Sequence, residues 1–145
     1  MKIGIASDHH GIDERHKIKE YLESKGYEVV DFGPFAPESV DYPEFAFKLS
    51  KEVASKKIDK GILLCGTGIG MSIAANKVKG IRCARVVDEE DAMYAALHNH
   101  ANEIAFSARL PYELMIAIID KYLTTSPSQE ERHVRRVNMI DNYNG

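Results

Sequence analysis

Two cysteines, Cys65 and Cys83, are all that the 145 residues contain. They lack the spacing of a metal site, and one pair does not make a secreted disulfide scaffold, so a reducing, cytoplasmic setting is expected. Long apolar runs are missing too. ILLC at 62–65 is among the longest, far too short to span a bilayer. The N-terminus opens on a strand-like KIGIAS, without the charge and apolar core of a signal peptide. Nor does charge of one sign dominate. Nineteen Lys and Arg stand against 22 Asp and Glu, a net charge of -3, which gives no general attraction to nucleic acid or to an anionic membrane. Internal repeats, low-complexity tracts and linkers are also absent. A chain of 145 residues is the size of one domain and can bury most of its apolar surface unaided, so one domain over 1–145 is expected.

What is present is an alternation of short apolar runs with amphipathic stretches, the pattern of βα units and a parallel sheet. IGIAS (3–7), YEVVDF (27–32), KGILLC (60–65), RCARVV (82–87) and EIAFSA (103–108) read as strands. A first helix over about 11–25 turns Ile12, Ile18, Tyr21 and Leu22 inward and closes at Gly26. Pro43 fits the first turn of a second, in which Phe45, Leu49 and Val53 recur every four residues. Further helices are predicted near 69–78, over about 89–97 with Asp88 as cap, and from Pro111 with Leu114, Ile118 and Tyr122 on one face. The last starts at SQEE (128–131), where Ser128 and Glu131 form a capping-box pattern, and runs to about Asp141.

The stretch CGTGIG (65–70) joins the third strand to a helix. It is not a Walker loop, which needs Gly-Lys-Ser/Thr after four intervening residues. It half matches the dinucleotide fingerprint: Gly66, Gly68 and a later Asp88 fit, but Met71 stands where the third glycine belongs. What remains is a loop whose backbone N–H groups converge at a helix start, suited to negative charge. In a doubly wound sheet the loop after the first strand, SDHHG (7–11), would bring Asp8, His9 and His10 towards Cys65 and Thr67.

SDHHG, VDYP (40–43), CGTGIGMSIAANK (65–77), GIR (80–82), HN (98–99) and RHVRRV (132–137) together resemble the type B ribose-5-phosphate isomerases and the related galactose-6-phosphate isomerase subunits, over nearly the whole chain. The resemblance implies an α/β fold: a Rossmann-like three-layer sandwich with a five-stranded parallel sheet, its C-terminal helix packed on a dimer partner. It implies aldose–ketose isomerisation of a sugar phosphate with no metal and no organic cofactor, in a homodimer or a pair of dimers with shared active sites. It makes Cys65 the base, since Met71 stands where other branches carry a glutamate base, and a helix N-terminus favours a thiolate. Amides of the loop Gly66, Thr67, Gly68, Ile69 and Gly70 would stabilise the enediolate, and Thr67 would move the proton between two sugar oxygens. His98, delivered by the neighbouring subunit, would open the sugar ring with help from Asp8. Asn99 and Tyr42 would line the sugar, and His9, Arg109, Arg132 and Arg136 would hold the phosphate.

Departures from the family pattern stand at His10, where it commonly has a small or apolar residue, at His100 in place of an acid, and at Glu130 and Glu131 in place of glycines. They leave the reaction class standing but put the substrate in question: ribose 5-phosphate leads, a six-carbon sugar phosphate is the alternative, and retention of Cys65, Thr67 and His98 together argues against a non-catalytic sugar-phosphate sensor. Cys83, His16, His100, His133 and Arg135 read as structural or solvated.

Overall fold

The computed structural model describes residues 1–145 and builds them into five strands and six helices. Along the chain these are β1 (Lys2–Ser7), α1 (Ile12–Ser24), β2 (Glu28–Asp31), α2 (Tyr42–Ala54), β3 (Lys60–Cys65) and α3 (Ile69–Ala75). Then come β4 (Cys83–Arg85), α4 (Glu89–Leu97), β5 (Glu103–Ser107), α5 (Tyr112–Thr124) and α6 (Glu131–Asp141). All four strand pairings are parallel, in the order β2-β1-β3-β5-β4. The chain winds outwards from β1 to β2 and then crosses back to β3. The carboxyl ends of β1 and β3 therefore flank the point where the winding reverses, the crevice in which such sheets bind ligands.

Both faces of the sheet are covered, which is why its strands read as unbroken apolar runs. Ile3, Ile5, Ile62, Leu64, Ile104 and Phe106 point towards α1, α4 and α5, while Ala6, Leu63, Cys65 and Ala105 point towards α2 and α3. Each fully buried leucine or isoleucine contributes about 1.5–3 kcal/mol. Strand alternation thus turns the Cys65 side chain to the α2/α3 face, just where β3 ends.

Several elements are shorter than their sequence pattern suggests, for local reasons. Val86 N still donates to Ala105 O at 2.9 Å, but Val87 N turns to Asp91 Oδ2 at 3.1 Å, so β4 gives way to the start of α4. Asn76 exchanges two 2.8 Å bonds with the Cys83 backbone, and α3 stops before it. Asp88 caps α4 as expected, accepting from Asp91 N at 2.8 Å. The Ser128–Glu131 capping box does not form. Glu130 holds the N-cap position of α6, and Ser128 Oγ instead accepts from Glu130 N at 3.2 Å and meets His133 Nδ1 at 2.9 Å. In α1, Ile18 and Leu22 are buried while Ile12 and Tyr21 are only half-buried.

The unforeseen inward residue of α1 is Arg15, fully buried. Its Nη1 donates to Ser7 Oγ and its Nη2 to Pro34 O, both at 2.6 Å. Its Nε lies 2.9 Å from Asp31 Oδ1, an ion pair without hydrogen-bond alignment. One guanidinium thereby ties the ends of β1 and β2 to the loop 33–41.

At the amino end of the sheet Glu103 is also fully buried. Oε2 accepts from Ser50 Oγ at 3.0 Å, and Oε1 has no partner. Burial pushes its carboxyl up to about 8, against 4.5 ordinarily, although the Ser50 bond pulls the other way. The unfolded chain releases this proton first, so the folded state holds one extra proton between those values. The contribution is therefore complete below the ordinary value and is lost as pH rises towards 8, by up to about 1.4 kcal/mol per pH unit. Glu103→Gln keeps an amide for Ser50 and removes the titration. Denaturant stability of that variant, measured from about pH 5 to pH 8, should decline less steeply than wild type; parallel curves would dismiss the assignment.

Candidate active site

The carboxyl ends of β1 and β3 meet at one cavity of about 420 Å³, lined by Asp8, His10, Tyr42, Cys65, Thr67 and Gly70 among others. Hydrogen bonds bring the β1 and β3 loops together: Asp8 N donates to Leu64 O at 3.0 Å, and Gly66 N to Asp8 Oδ2 at 3.4 Å. From β5, Ala108 N donates to Cys65 O at 2.8 Å and Ser107 Oγ to Gly66 O at 2.8 Å.

Cys65 is 5% exposed, with its sulfur held by Gly68 N at 3.0 Å. Thr67 Oγ1 accepts from Ile69 N at 3.2 Å, and Arg85 Nε donates to Thr67 O at 3.2 Å. One glycine is sterically required, and a second lies under a cavity side chain. Gly68 has φ +79, and a β-carbon there would stand 2.8 Å from the Phe106 backbone. At Gly70 a β-carbon would stand 2.5 Å from the Tyr42 ring, which closes one side of the cavity. Arg109 reaches over the loop too, its Nη2 3.7 Å from where a Gly66 β-carbon would be.

Asp8 is 6% exposed and accepts three N–H groups: His10 N at 2.9 Å, His10 Nδ1 at 3.1 Å and Gly66 N. His9 is not part of the cavity lining, and its Nδ1 accepts from Val40 N of the loop 33–41 at 3.4 Å. Asp8, His9 and His10 place metal-type donor atoms within 4.8 Å of one another. The carboxylate and the His10 Nδ1 already satisfy each other, and the His9 Nδ1 is taken by Val40 N.

The remaining expected residues gather elsewhere in the chain. His98, at the end of α4, stacks on His133 of α6 with ring centres 4.3 Å apart and tilts against Tyr94 at 4.8 Å. Desolvation, with His98 and Arg132 beside it, lowers the His133 imidazole below its ordinary value. Asn99 lines a different cavity, of about 240 Å³, with Asn76, Arg82 and Cys83. Arg132 is engaged by Glu130, Nη2 to Oε2 at 3.1 Å, and Glu131 pairs with Arg135. Arg136 is exposed and has no carboxylate at ion-pair distance. His100 is structural, its Nε2 on Ser128 O at 2.8 Å. No helix is long and apolar enough to cross a membrane.

A family model described as Ribose/Galactose Isomerase matches residues 3–140. The chain belongs to this family. Within the ribose/galactose isomerase family, ribose-5-phosphate isomerase B of Escherichia coli is 39% identical over 140 residues, covering 96% of this chain and 93% of that protein. The structure of ribose-5-phosphate isomerase B from Clostridium thermocellum superposes with a TM-score of 0.94 at 45% identity, covering 97% of this chain and 95% of that one. That of the Mycoplasma genitalium enzyme with bound ribulose-5-phosphate gives 0.93 at 41% identity, covering 98% and 95%.

His10 lines the cavity, where the adjacency of the first and third strands places it, and the sequence left its role open between a phosphate contact and a narrower pocket. Its signal was a histidine where the family commonly has a small or apolar side chain.

Proposed function

We propose that this protein is a one-domain aldose–ketose isomerase that interconverts ribose 5-phosphate and ribulose 5-phosphate through an enediolate. The observation that carries the reading is a buried thiol at the start of a glycine loop, its sulfur on the Gly68 N–H, in a cavity big enough for a small sugar. In this reading Cys65 takes the proton from C2 of the open-chain aldose. N–H groups of the 66–70 loop stabilise the oxyanion that develops, Thr67 moves a proton between O1 and O2, and the proton returns at C1. His9, Arg109, Arg132 and Arg136 hold the phosphate, Tyr42 and Asn99 the sugar.

His98, Asn99, Arg132 and Arg136 do not line the Cys65 cavity of their own chain. That supports a homodimer in which the partner's copy completes each site, with a pair of dimers as the larger assembly. Ile69 and Ile73 beside the cavity, and Met139 and Ile140 on α6, are exposed apolar side chains suited to that contact. In this assembly α6 packs on the partner, and the protein works in the cytoplasm.

Turnover of a panel of pentose and hexose phosphates tests the substrate. Ribose 5-phosphate should give the highest kcat/KM; a six-carbon sugar phosphate ahead of it would replace this reading, and binding without turnover would indicate a sensor.

Loop amides supply the electrophile here, so activity should survive prolonged dialysis against a chelator. Loss restored only by a divalent cation would reject the mechanism. Glu130→Gln should free Arg132 for phosphate and lower KM by up to about fivefold, the ceiling of about 1 kcal/mol for an exposed pair. An unchanged or higher KM would mean that Arg132 does not reach the substrate.

A further inference from the structure

Opening a sugar ring moves two protons. The anomeric O1–H is lost as C1=O forms, while the C1–O4 bond breaks, its electron pair goes to O4, and O4 takes up a proton. One group must accept and another must donate. The isomerase reading provides one histidine, His98 from the partner, with Asp8 as its helper. Asp8 is poorly placed to carry a proton itself, because it is 6% exposed and already receives three N–H donors.

The group that Asp8 does present to the cavity is His10. Its side chain is 55% exposed, and its Nδ1 lies 3.1 Å from Asp8 Oδ2. A carboxylate only accepts, so Nδ1 carries the hydrogen and the neutral ring keeps its lone pair on Nε2. A buried carboxylate orienting a half-exposed imidazole is the arrangement of a general base. His9 lies against the ring with centres 4.1 Å apart, and the His10 Nδ1 is 3.8 Å from where a Gly66 β-carbon would be, next to Cys65.

Resting on the isomerase reading, we propose that His10 is a catalytic base for ring opening: its Nε2 takes the anomeric O1–H proton while the partner's histidine protonates O4. The Asp8–His10 pair then serves the cyclic sugar and Cys65 serves the open chain. The two duties are separable. Ribulose 5-phosphate has no ring to open, since the oxygen that would close a five-membered ring bears the phosphate.

The test is His10→Ala with two readouts. Turnover of ribose 5-phosphate should fall about 10²-fold in kcat, the usual contribution of one acid–base group. Exchange of the C1 hydrogen of ribulose 5-phosphate with deuterated solvent, which needs only Cys65 and its loop, should stay within about twofold of wild type. His10→Asn, which keeps a polar group but no base, should behave like the alanine variant. An equal fall in both readouts, no fall in either, or a rise in KM alone would overturn the assignment, the last making His10 a phosphate contact. Wild-type protein inactive in both assays would overturn the isomerase reading itself, and this proposal with it.

Discussion

Cys65→Ala should turn over ribose 5-phosphate about 10³-fold more slowly than wild type, with KM changed by no more than about twofold. The asymmetry follows from the geometry. Phosphate and sugar contacts come from other side chains and persist in the ground state, whereas the sulfur acts only when the C–H bond breaks. The buried thiol belongs to the core on the α2/α3 face and accepts from Gly68 N, so the variant should melt somewhat below wild type while staying folded. A thiol-alkylating reagent should inactivate the wild-type enzyme, and bound substrate should slow the loss. Near-normal turnover by the alanine variant would reject Cys65 as the base.

Mixed dimers should regain what each parent lacks. Cys65→Ala and His98→Ala chains are each expected to be nearly inactive alone. Coexpressed at equal levels and pairing at random, about half the dimers are mixed, and a two-fold interface gives each of those one site with both residues intact. The preparation should recover about a quarter of wild-type activity. The ground for this is the distance between duties within one chain: Cys65 lies in the cavity at the ends of β1 and β3, and His98 is stacked between Tyr94 and His133. Mixed dimers confirmed by mass, yet no more active than either parent, would show that sites are not shared.

Much of this architecture could be read from local pattern. Apolar runs at β1, β3 and β5 and four-residue spacing in α2 follow from burial on both sheet faces, and Asp88 capped its helix because that cap depends on three neighbouring residues alone. Adjacent first and third strands put SDHHG beside CGTG, and Asp8 does reach Gly66. Failures came where a distant group decides. Ser128 obeys the capping-box pattern but is claimed by His133, five residues on, whose ring in turn meets His98. Arg15 reads as a polar helix residue, since its partners Ser7, Asp31 and Pro34 lie on other elements. Glu103 reads as the polar start of a strand until Ser50 closes over it. His10 drew notice only as a departure, because its meaning lies in which way Asp8 turns its ring.

The guanidinium of Arg15 has a consequence for how such enzymes diverge. The loop 33–41 contributes Val40 N to His9 and leads into Tyr42, which lines the cavity, and it contains none of the residues assigned to proton transfer. It is moored to the sheet through Pro34 O by Arg15. The proton-moving residues and this loop are thus separate parts of the chain, joined by one buried cation. A change of length or sequence between 35 and 41 can be absorbed beyond that mooring while the thiol, its amides and the sheet stay as they are.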